Sequence, residues 1–295
     1  MKNLKNDFVI INGKLICEKE AFVSIKNSGF LYGDGLFETI KVYKGNIFLL
    51  EEHILRLFSS LCFFNYQKIE FEDFKNEIKK NITLLIQAKN LTGKEAFVKI
   101  IVCRGEYKKR LDFKTAEKPV VIIFAEKYTE YPVTYYKKGV DVLISSIKRV
   151  SYQNAIYRHK MLNYFENIFS RNEAISKGAN ESLFVSEDDF ILEGSISNIF
   201  MVLKNTVFTP SLDFNILPGI TRRKVLKICG ENNIKTIEGK LKLSNFCEAN
   251  EIFLTNSLAE ILPVKKIENY TLKSETPGKI TKIISLLYQK EVKYP

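Results

Sequence analysis

The stretch Tyr157-Arg-His-Lys-Met-Leu-Asn-Tyr-Phe-Glu-Asn-Ile-Phe-Ser-Arg-Asn-Glu-Ala174 is the segment from which the rest of the chain is interpreted. Apolar side chains recur in it at the spacing of one helix face, at Leu162, Phe165, Ile168 and Phe169. The pattern predicts an amphipathic helix with Lys160 in its opening turn. A lysine attacks carbonyl carbons only when its pKa is lowered, by burial or by a neighbouring cation such as Arg158 or His159. On this segment alone, a solvated surface charge is the more frequent role for such a lysine, so a nucleophilic role needs support elsewhere.

Length and composition indicate a soluble globular protein of about two domains. The chain has 295 residues, 45% of them hydrophobic and 27% charged, which is enough to bury sizeable cores. No apolar run approaches the roughly 20 residues that span a bilayer, and the N-terminal residues lack the apolar core of a signal peptide. We therefore expect a cytoplasmic protein.

The cysteines and histidines argue against two classes of site. The five cysteines form no Cys-x-x-Cys pair, and their odd number disfavours a disulfide framework. His53 and His159 are the only histidines, so clustered histidine metal sites and most Ser-His-Asp arrangements are not expected. No metal site is predicted, and hydrolytic functions lose most of their support.

The net charge of +11 raises the question of nucleic-acid binding, because basic stripes neutralise phosphates. The excess is mostly lysine and is spread along the whole chain instead of being concentrated in one arm or helix face. This distribution is typical of a solvated surface that mildly attracts small anions. We therefore expect a small-molecule partner and no nucleic-acid partner.

The order of the elements predicts an α+β chain with two domains. Residues 8–16 carry a hairpin signal around Asn12-Gly13, and a glycine-rich loop at 27–35 leads into a strand. Two amphipathic helices, at 51–64 and 71–88, and two strands complete a small α/β domain over residues 1–127. A segment without periodicity, 128–138, is predicted to be the linker. Residues 139–295 carry many short strands with helices between them, which favours a barrel-like sheet.

Three short segments of the second half could hold an anion or a ring. Pro218-Gly219-Ile220-Thr221 opens a predicted helix that ends at Gly230, so backbone amides and a hydroxyl meet at its N-terminus. Thr255-Asn256-Ser257 follows a strand, and Glu193 follows another. Each segment alone also has an ordinary explanation as a helix cap, a turn or a surface acid.

Together these features supply the parts that pyridoxal phosphate requires. A lysine amine forms a Schiff base, a carboxylate keeps the pyridine nitrogen protonated, and amides with hydroxyls hold the phosphate. The order of the motifs and the residues in them, over about residues 10–264, resemble those of the class IV aminotransferases. This family of fold-type IV pyridoxal-phosphate enzymes includes branched-chain aminotransferases, D-amino acid aminotransferases and aminodeoxychorismate lyases.

The resemblance implies a fold and a set of site residues. The implied fold has a small α/β domain and a larger pseudo-barrel domain with surrounding helices, with the cofactor between them, in a homodimer. Lys160 would be the Schiff-base lysine and Glu193 the partner of the pyridine nitrogen. The implied phosphate ligands are Arg56, Ile220, Thr221 and Ser257. Tyr32 of the glycine-rich loop would line the substrate pocket.

Departures from the family's subgroups favour the lyase. Branched-chain enzymes carry two glycines after the lysine, whereas this chain has Met161-Leu162-Asn163. D-amino acid aminotransferases have an Arg-x-His after an Arg-Gly turn, and here Arg104-Gly105 is followed by no histidine; Arg110 and Lys109 are the candidates to replace it.

Two further residues match the lyases. Thr39 and Asn256 fall where these enzymes place a mechanistic threonine and a substrate-binding asparagine. The resemblance thus implies release of 4-aminobenzoate and pyruvate from 4-amino-4-deoxychorismate, in folate biosynthesis. Branched-chain or D-amino acid transamination remains the alternative, and Thr39 could equally be an ordinary strand residue.

Overall fold

The computed structural model describes residues 7–66, 70–149 and 154–293, and the chain divides into two compact units. The first comprises Met1–Thr129 with Lys160–Tyr164, and the second comprises Glu130–His159 with Phe165–Pro295. Within the described residues, none of the helices has both the length and the apolar composition needed to cross a membrane. The domain boundaries at 127 and 139 remain a prediction, and the chain forms a short helix inside the predicted linker.

The first unit is an antiparallel sheet of six strands with two long helices. The strand order is β2-β1-β6-β5-β3-β4. Its elements are β1 (Phe8–Ile11), β2 (Lys14–Cys17), α1 (Ser28–Tyr32), β3 (Gly35–Tyr43), β4 (Asn46–Ile47), α2 (Leu50–Phe63), α3 (Phe71–Ala88), β5 (Ala96–Cys103) and β6 (Val120–Lys127). The predicted hairpin is confirmed, since β1 pairs with β2 and both turn residues, Asn12 and Gly13, have positive φ angles of 49° and 75°.

The core of the first unit lies between the sheet and the apolar sides of α2 and α3. Ile40 of β3, Ile54 of α2 and Ile82 of α3 are fully buried in it. The helical spacing predicted both helices correctly, because their apolar stripes are the faces that the sheet covers.

The segment around Lys160 is extended, which corrects the prediction that Lys160 opens a helix. The Phe37 amide donates to the Lys160 carbonyl at 2.9 Å, and the Leu162 amide donates to the Gly35 carbonyl at 2.8 Å. The segment therefore runs alongside the start of β3, and the following helix begins only at Phe165. Tertiary pairing with β3 thus overrides the helical spacing.

Glycines make this pairing sterically feasible. A Cβ at Gly35 would lie 2.5 Å from Leu162 Cδ1, and one at Gly33 would lie 3.0 Å from the Asn163 backbone. Gly33 also has a positive φ of 67°. The glycine-rich loop therefore permits a close backbone approach in addition to turning the chain.

The second unit is a mixed sheet of nine strands with helices around it. Its main path is β12-β11-β10-β13-β14-β7-β8-β9, and β15 pairs with β14. The elements are α4 (Val133–Lys138), β7 (Val140–Ile144), α5 (Phe165–Ser176), β8 (Glu181–Val185), β9 (Ile191–Gly194), β10 (Asn198–Leu203), β11 (Thr206–Pro210), α6 (Ile220–Glu231), β12 (Thr236–Gly239), β13 (Glu251–Asn256), β14 (Glu260–Ile267), β15 (Tyr270–Thr271) and α7 (Lys279–Lys293). The predicted fold class, mixed helix and sheet, is confirmed.

Two details of these helices differ from the prediction. Phe165, Ile168 and Phe169 of α5 are exposed, and the helix instead buries Ser170 and Ala174. Gly230 lies inside α6, which continues to Glu231. The helix packs against β8 through these small residues. A search for large apolar residues at helical spacing does not detect such a face.

The two faces of the second unit's sheet carry different side chains. Phe200 of β10 and Phe253 of β13 stack at 4.8 Å between ring centroids on the face that α6 covers, here called the α6 face. Alternation along the strands puts Asn198 and Thr255 on the same face. Leu183, Leu254 and Leu262 belong to the core cluster of the opposite face, here called the inner face.

Candidate active site

Lys160 lies beside two aromatic rings of the first unit. Its Nζ is 4.5 Å from the ring centroid of Phe37 and 5.6 Å from that of Tyr164. The two rings are 5.4 Å apart and nearly perpendicular. Aromatic faces attract an ammonium group while excluding water from it, so this pair positions the amine.

Thr39 lies on the same face of β3 as Phe37. Residues 37 and 39 are two apart on one strand and therefore point to the same side of the sheet. Lys99 of β5 is the cross-strand partner of Thr39, and its Nζ is 4.8 Å from the Phe37 ring. Burial lowers the pKa of Lys99, and the charge of Glu126 partly opposes this shift. The structure thus places Thr39 on the strand face that carries Phe37, and a second amine at the ring that contacts Lys160.

The opposite face of β3 carries a buried acid that holds Arg56. Glu38 Oε1 accepts a hydrogen bond from Arg56 Nε at 2.7 Å, and Glu38 Oε2 accepts from Arg56 Nη2 at 2.7 Å. His53 Nδ1 lies 2.7 Å from Glu38 Oε2 as well. Burial alone would raise the pKa of Glu38, but the charge of Arg56 and the hydrogen bonds from Arg56 and His53 outweigh it and lower that pKa to about 2.

His53 is held neutral within this cluster. Burial lowers the pKa of His53; Glu38 opposes the shift, and the charges of Arg56 and Lys160 add to it. Neutral His53 therefore donates its Nδ1 hydrogen to the Glu38 carboxylate. Arg56, the predicted phosphate ligand, is fixed in orientation by a fork of two hydrogen bonds to Glu38.

Tyr32 and Arg110 lie elsewhere on the first unit. Tyr32 is the last residue of α1 and is half exposed, and Arg110 is exposed in the loop between β5 and β6. The contacts described for Lys160 and Arg56 include neither of them. Their roles at the substrate pocket stay predictions.

In the second unit, a β-bulge directs Glu193 to the α6 face. Leu183 of β8 pairs with Gly194 of β9, and Val185 pairs with Ile191. A step of two residues along β8 therefore matches a step of three along β9, so β9 contains one extra residue. Glu193 Oε1 lies 2.6 Å from Arg149 Nη1, and Glu193 Oε2 accepts from the Leu217 amide at 3.0 Å. Arg149 is itself buried between the rings of Tyr157 and Phe184. Glu193 is thus a buried, oriented carboxylate.

Asn198 connects this carboxylate to the entrance of α6. Its Nδ2 donates to the Leu217 carbonyl at 2.9 Å and to Glu193 Oε2 at 3.4 Å. A Cβ at Gly219 would lie 1.9 Å from Asn198 Oδ1, so only glycine fits at the N-cap of α6. Ile220 and Thr221 form the first turn, where backbone N–H groups have no partner within the helix.

One buried hydroxyl on this face lacks a partner. Thr255 Oγ1 has no hydrogen bond among the described residues, and Thr255 lies directly opposite Asn198 in the sheet. Buried polar atoms are normally hydrogen-bonded, so an orphaned oxygen beside the α6 entrance is what a site for a polar ligand would contain.

Asn256 and Ser257 form the turn between β13 and β14. Asn256 Oδ1 accepts from the amides of Leu258 at 3.0 Å and Ala259 at 2.7 Å. The Asn256 oxygen therefore shapes the turn. The predicted roles of Asn256 and Ser257 are not tested by these contacts.

Sequence reasoning missed several residues of these clusters. His53 and Glu38 are two of them: His53 lies three residues before the predicted Arg56 on one face of α2, a spacing that could have indicated a shared acidic partner. Lys99 and Arg149 carry no such signal, because their neighbours come from distant parts of the chain.

The chemistry available in each unit is complementary. The first unit offers an amine beside aromatic rings, a hydroxyl and an oriented guanidinium. The second offers a buried carboxylate and a helix entrance suited to an anion.

Comparison with known proteins identifies similar chains. A family model described as amino-transferase class IV matches residues 35–267. The aminodeoxychorismate lyase of Bacillus subtilis is 33% identical over 97% of this chain and 94% of its own. The D-alanine aminotransferase of Bacillus licheniformis is 28% identical over 96% of each chain. Among solved structures, the branched-chain amino acid aminotransferase of Escherichia coli is similar with a TM-score of 0.88 and 25% identity, covering 97% of this chain and 94% of that one.

Proposed function

The chain belongs to the class IV aminotransferase family, and from this premise we propose that it is a 4-amino-4-deoxychorismate lyase. The reaction eliminates the enolpyruvyl group of the substrate and yields 4-aminobenzoate and pyruvate. The B. subtilis relative, which is named for this activity, supports the proposal through its 33% identity over nearly the whole chain.

The enzyme is pyridoxal-phosphate-dependent, as the family is, and its residues fit that cofactor. The N-terminus of α6, where only Gly219 fits, and the buried Thr255 hydroxyl, which has no hydrogen bond among the described residues, are features that suit a phosphate-bearing ligand. We propose that Lys160 attaches to the cofactor aldehyde and that Arg56, Ile220, Thr221 and Ser257 hold the phosphate. When bound, the cofactor supplies an electron sink for charge that develops on the amino-bearing carbon.

The remaining roles fall to residues of this chain. Lys160 Nζ would take the proton from the ring carbon that bears the amino group. The Thr39 hydroxyl would deliver a proton to the departing enolpyruvyl group. Glu193 would keep a proton on the ring nitrogen of the cofactor, and Arg149 would hold Glu193 in position. Lys99 or Arg110 would bind a substrate carboxylate, and Tyr32 and Asn256 would line the pocket.

The observation that carries the lyase proposal is the position of Thr39. Thr39 shares the face of β3 with Phe37, whose ring contacts Lys160 Nζ, and it lies across from Lys99. An elimination needs a proton donor near the amine that removes the first proton, and transamination does not need this second donor.

Substitution of Thr39 tests the assignment directly. We expect Thr39→Val to lower the rate of 4-aminobenzoate release by about 100-fold, the scale of one lost proton donor, and Thr39→Ser to retain most of it. Valine keeps the β-branched shape, so the strand should be preserved. Equal rates for the wild type and Thr39→Val would contradict the role of Thr39, and absence of release from the wild type would reject the lyase.

A second test addresses the cofactor. Borohydride treatment of the yellow holoenzyme should leave the pyridoxyl group on Lys160, as peptide mass spectrometry would show. Lys160→Ala should lose both the label and the activity. Labelling of another lysine would overturn the assignment of Lys160.

Amino transfer is the second candidate function. The D-alanine aminotransferase relative and the branched-chain structure match nearly as much of the chain as the lyase does. Brisk transfer from D-alanine, glutamate or a branched-chain donor, without 4-aminobenzoate release, would establish this alternative.

We also propose that the enzyme is a homodimer. Five apolar side chains between residues 22 and 32 of the first unit are at least half exposed: Phe22, Ile25, Phe30, Leu31 and Tyr32. Contiguous exposed apolar surface is typical of an interface. Light scattering should give twice the 34.1 kDa chain mass, and Phe22→Glu with Phe30→Glu should shift it to the monomer. A monomeric wild type would reject the proposal.

A further inference from the structure

The second unit contains a cavity whose lining shares one residue, Asn256, with the roles assigned above. Its volume is about 350 Å³, within the range of small-molecule sites. The lining comes from α4, α5 and the ends of several strands and includes Tyr131, Tyr135, Arg171, Glu181, Leu254 and Leu262.

This cavity lies on the inner face of the sheet. Leu254 and Leu262 belong to the core cluster of that face. Asn198 and Thr255, which border the proposed cofactor site, alternate with the inner residues and point to the α6 face. The cavity and the α6 entrance are therefore on opposite sides of one sheet.

Arg171 gives the cavity an anion-binding group. Its Nη1 lies 3.4 Å from Glu181 Oε1, a long contact, and no other hydrogen-bond partner of the guanidinium is found among the described residues. Glu181 is meanwhile stabilised by neutral donors, the hydroxyls of Ser195 and Ser197 and the Ser182 amide. The guanidinium therefore keeps donors with which it can bind a carboxylate in two parallel hydrogen bonds.

The rest of the lining favours an aromatic ring. The rings of Tyr131 and Tyr135 lie 6.5 Å apart at 45°, and leucines line the sheet side. Burial raises the pKa of Tyr131; Arg171 opposes the shift and Glu181 adds to it, so the phenol stays protonated as a hydrogen-bond donor. The net charge of +11 also favours anionic ligands.

We propose that this cavity is a second ligand site, which binds a small aromatic monocarboxylate with its carboxylate on Arg171 and its ring among Tyr131, Leu254 and Leu262. The site goes beyond the proposed reaction and does not depend on it. Its wall also includes Ile196 and Ser197, three and four residues after Glu193. A bound ligand therefore contacts the turn that directly follows the strand of Glu193, and the site is suited to an effector.

Equilibrium dialysis of the holoenzyme with benzoate, and with benzamide as the neutral isostere, tests the proposal. We expect saturable benzoate binding, and at least about tenfold weaker binding of benzamide, because one charge-assisted contact is worth about 1.4 kcal/mol or more. Arg171→Ala should weaken benzoate binding by about tenfold or more. Ala179→Leu, which adds volume to the lining, should do the same without removing a charge.

The controls separate this site from the rest of the molecule. Lys177→Ala removes a cation just after α5 that does not line the cavity, and it should leave benzoate binding unchanged. Lys160→Ala should also retain binding, so failure of the proposed reaction leaves the test intact. Equal binding of benzamide, no saturation up to about 10 mM, or binding unaffected by both Arg171→Ala and Ala179→Leu would overturn the proposal. If Arg171→Ala does not fold, Ala179→Leu and the benzamide comparison decide.

Discussion

The two buried carboxylates, Glu38 in the first unit and Glu193 in the second, are surrounded differently. Glu38 accepts three hydrogen bonds of 2.7 Å from two basic side chains, Arg56 and His53. In the contacts described for Glu193, one cation binds Oε1, whereas neutral donors bind Oε2. The difference indicates that Glu38 serves mainly to hold protein cations in place, while Glu193 is a positioned anion that can serve a ligand. Substitutions at both positions test this distinction.

Glu38→Ala should produce the largest loss of stability. Removal of the carboxylate breaks both hydrogen bonds that the largely buried Arg56 guanidinium donates to Glu38, which costs about 3–5 kcal/mol in the free energy of unfolding. Urea unfolding at pH 7 measures this loss. Glu72→Gln, which breaks an exposed pair with Lys75, is the control, and its loss of stability should be far smaller because solvent screens that pair. Similar costs for both variants would show that the Glu38 cluster is not a buried ion pair.

The acid sensitivity of the protein should depend on the same residue. The pKa of Glu38 is about 2 in the folded chain, against the ordinary value of 4.5, so the carboxylate stabilises the fold above pH 4.5. About 3 kcal/mol is therefore lost as the pH falls from 4.5 to 2. The lowered pKa of His53 acts in the same direction, because the unfolded chain binds its proton first.

Unfolding free energies measured between pH 6 and pH 2.5 would show this dependence. Glu38→Gln should flatten the acid part of the curve, since it has no proton to gain at that position. An unchanged slope would place the acid-sensitive group elsewhere.

Glu193→Gln should mainly affect the reaction. We expect kcat/KM for 4-aminobenzoate release to fall by about 100-fold, which corresponds to about 2.7 kcal/mol. The visible absorbance of the holoenzyme should shift as well, because the variant removes the charge that we propose for the cofactor ring nitrogen. Glu38→Gln, tested in parallel, should lower the free energy of unfolding more than Glu193→Gln does, and should lower kcat/KM less. The opposite pattern would reverse the roles assigned to the two acids.

Two glycines of one helix give the smallest expected effects. Gly219→Ala should cost about 1–3 kcal/mol, because its Cβ would overlap the Asn198 side chain. Gly230→Ala, within the same helix and with open space around it, should instead stabilise by about 0.5–1 kcal/mol. Thermal unfolding compares the two variants, and weaker pyridoxal phosphate binding is expected only for Gly219→Ala.

Local signals in the sequence predicted much of this fold. The Asn12-Gly13 hairpin and the stripes of α2 and α3 follow from turn chemistry and apolar spacing, and the structure confirms them. The family and its cofactor also followed from motif order. The prediction that Lys160 opens a helix was wrong, because this segment pairs with β3 instead. Gly33 and Gly35 allow the close approach that this pairing needs.

The surroundings of the candidate residues were less accessible to prediction. The bulge that turns Glu193 depends on how β8 pairs with β9, and strand pairing is not encoded within either strand alone. Arg149 reaches Glu193 across 44 positions of sequence, and Lys99 faces Thr39 across 60. Single residues separated in this way leave no pattern that spacing can reveal.

The placement of Lys160–Tyr164 in the first unit has a consequence for biosynthesis. A ribosome that has released only the first 129 residues has not yet supplied the backbone that pairs with the start of β3. The N-terminal unit can therefore reach its final form only after about 35 further residues have emerged, although N-terminal domains usually fold first during translation. Nascent chains arrested before residue 160 should accordingly be more sensitive to protease than chains arrested beyond it.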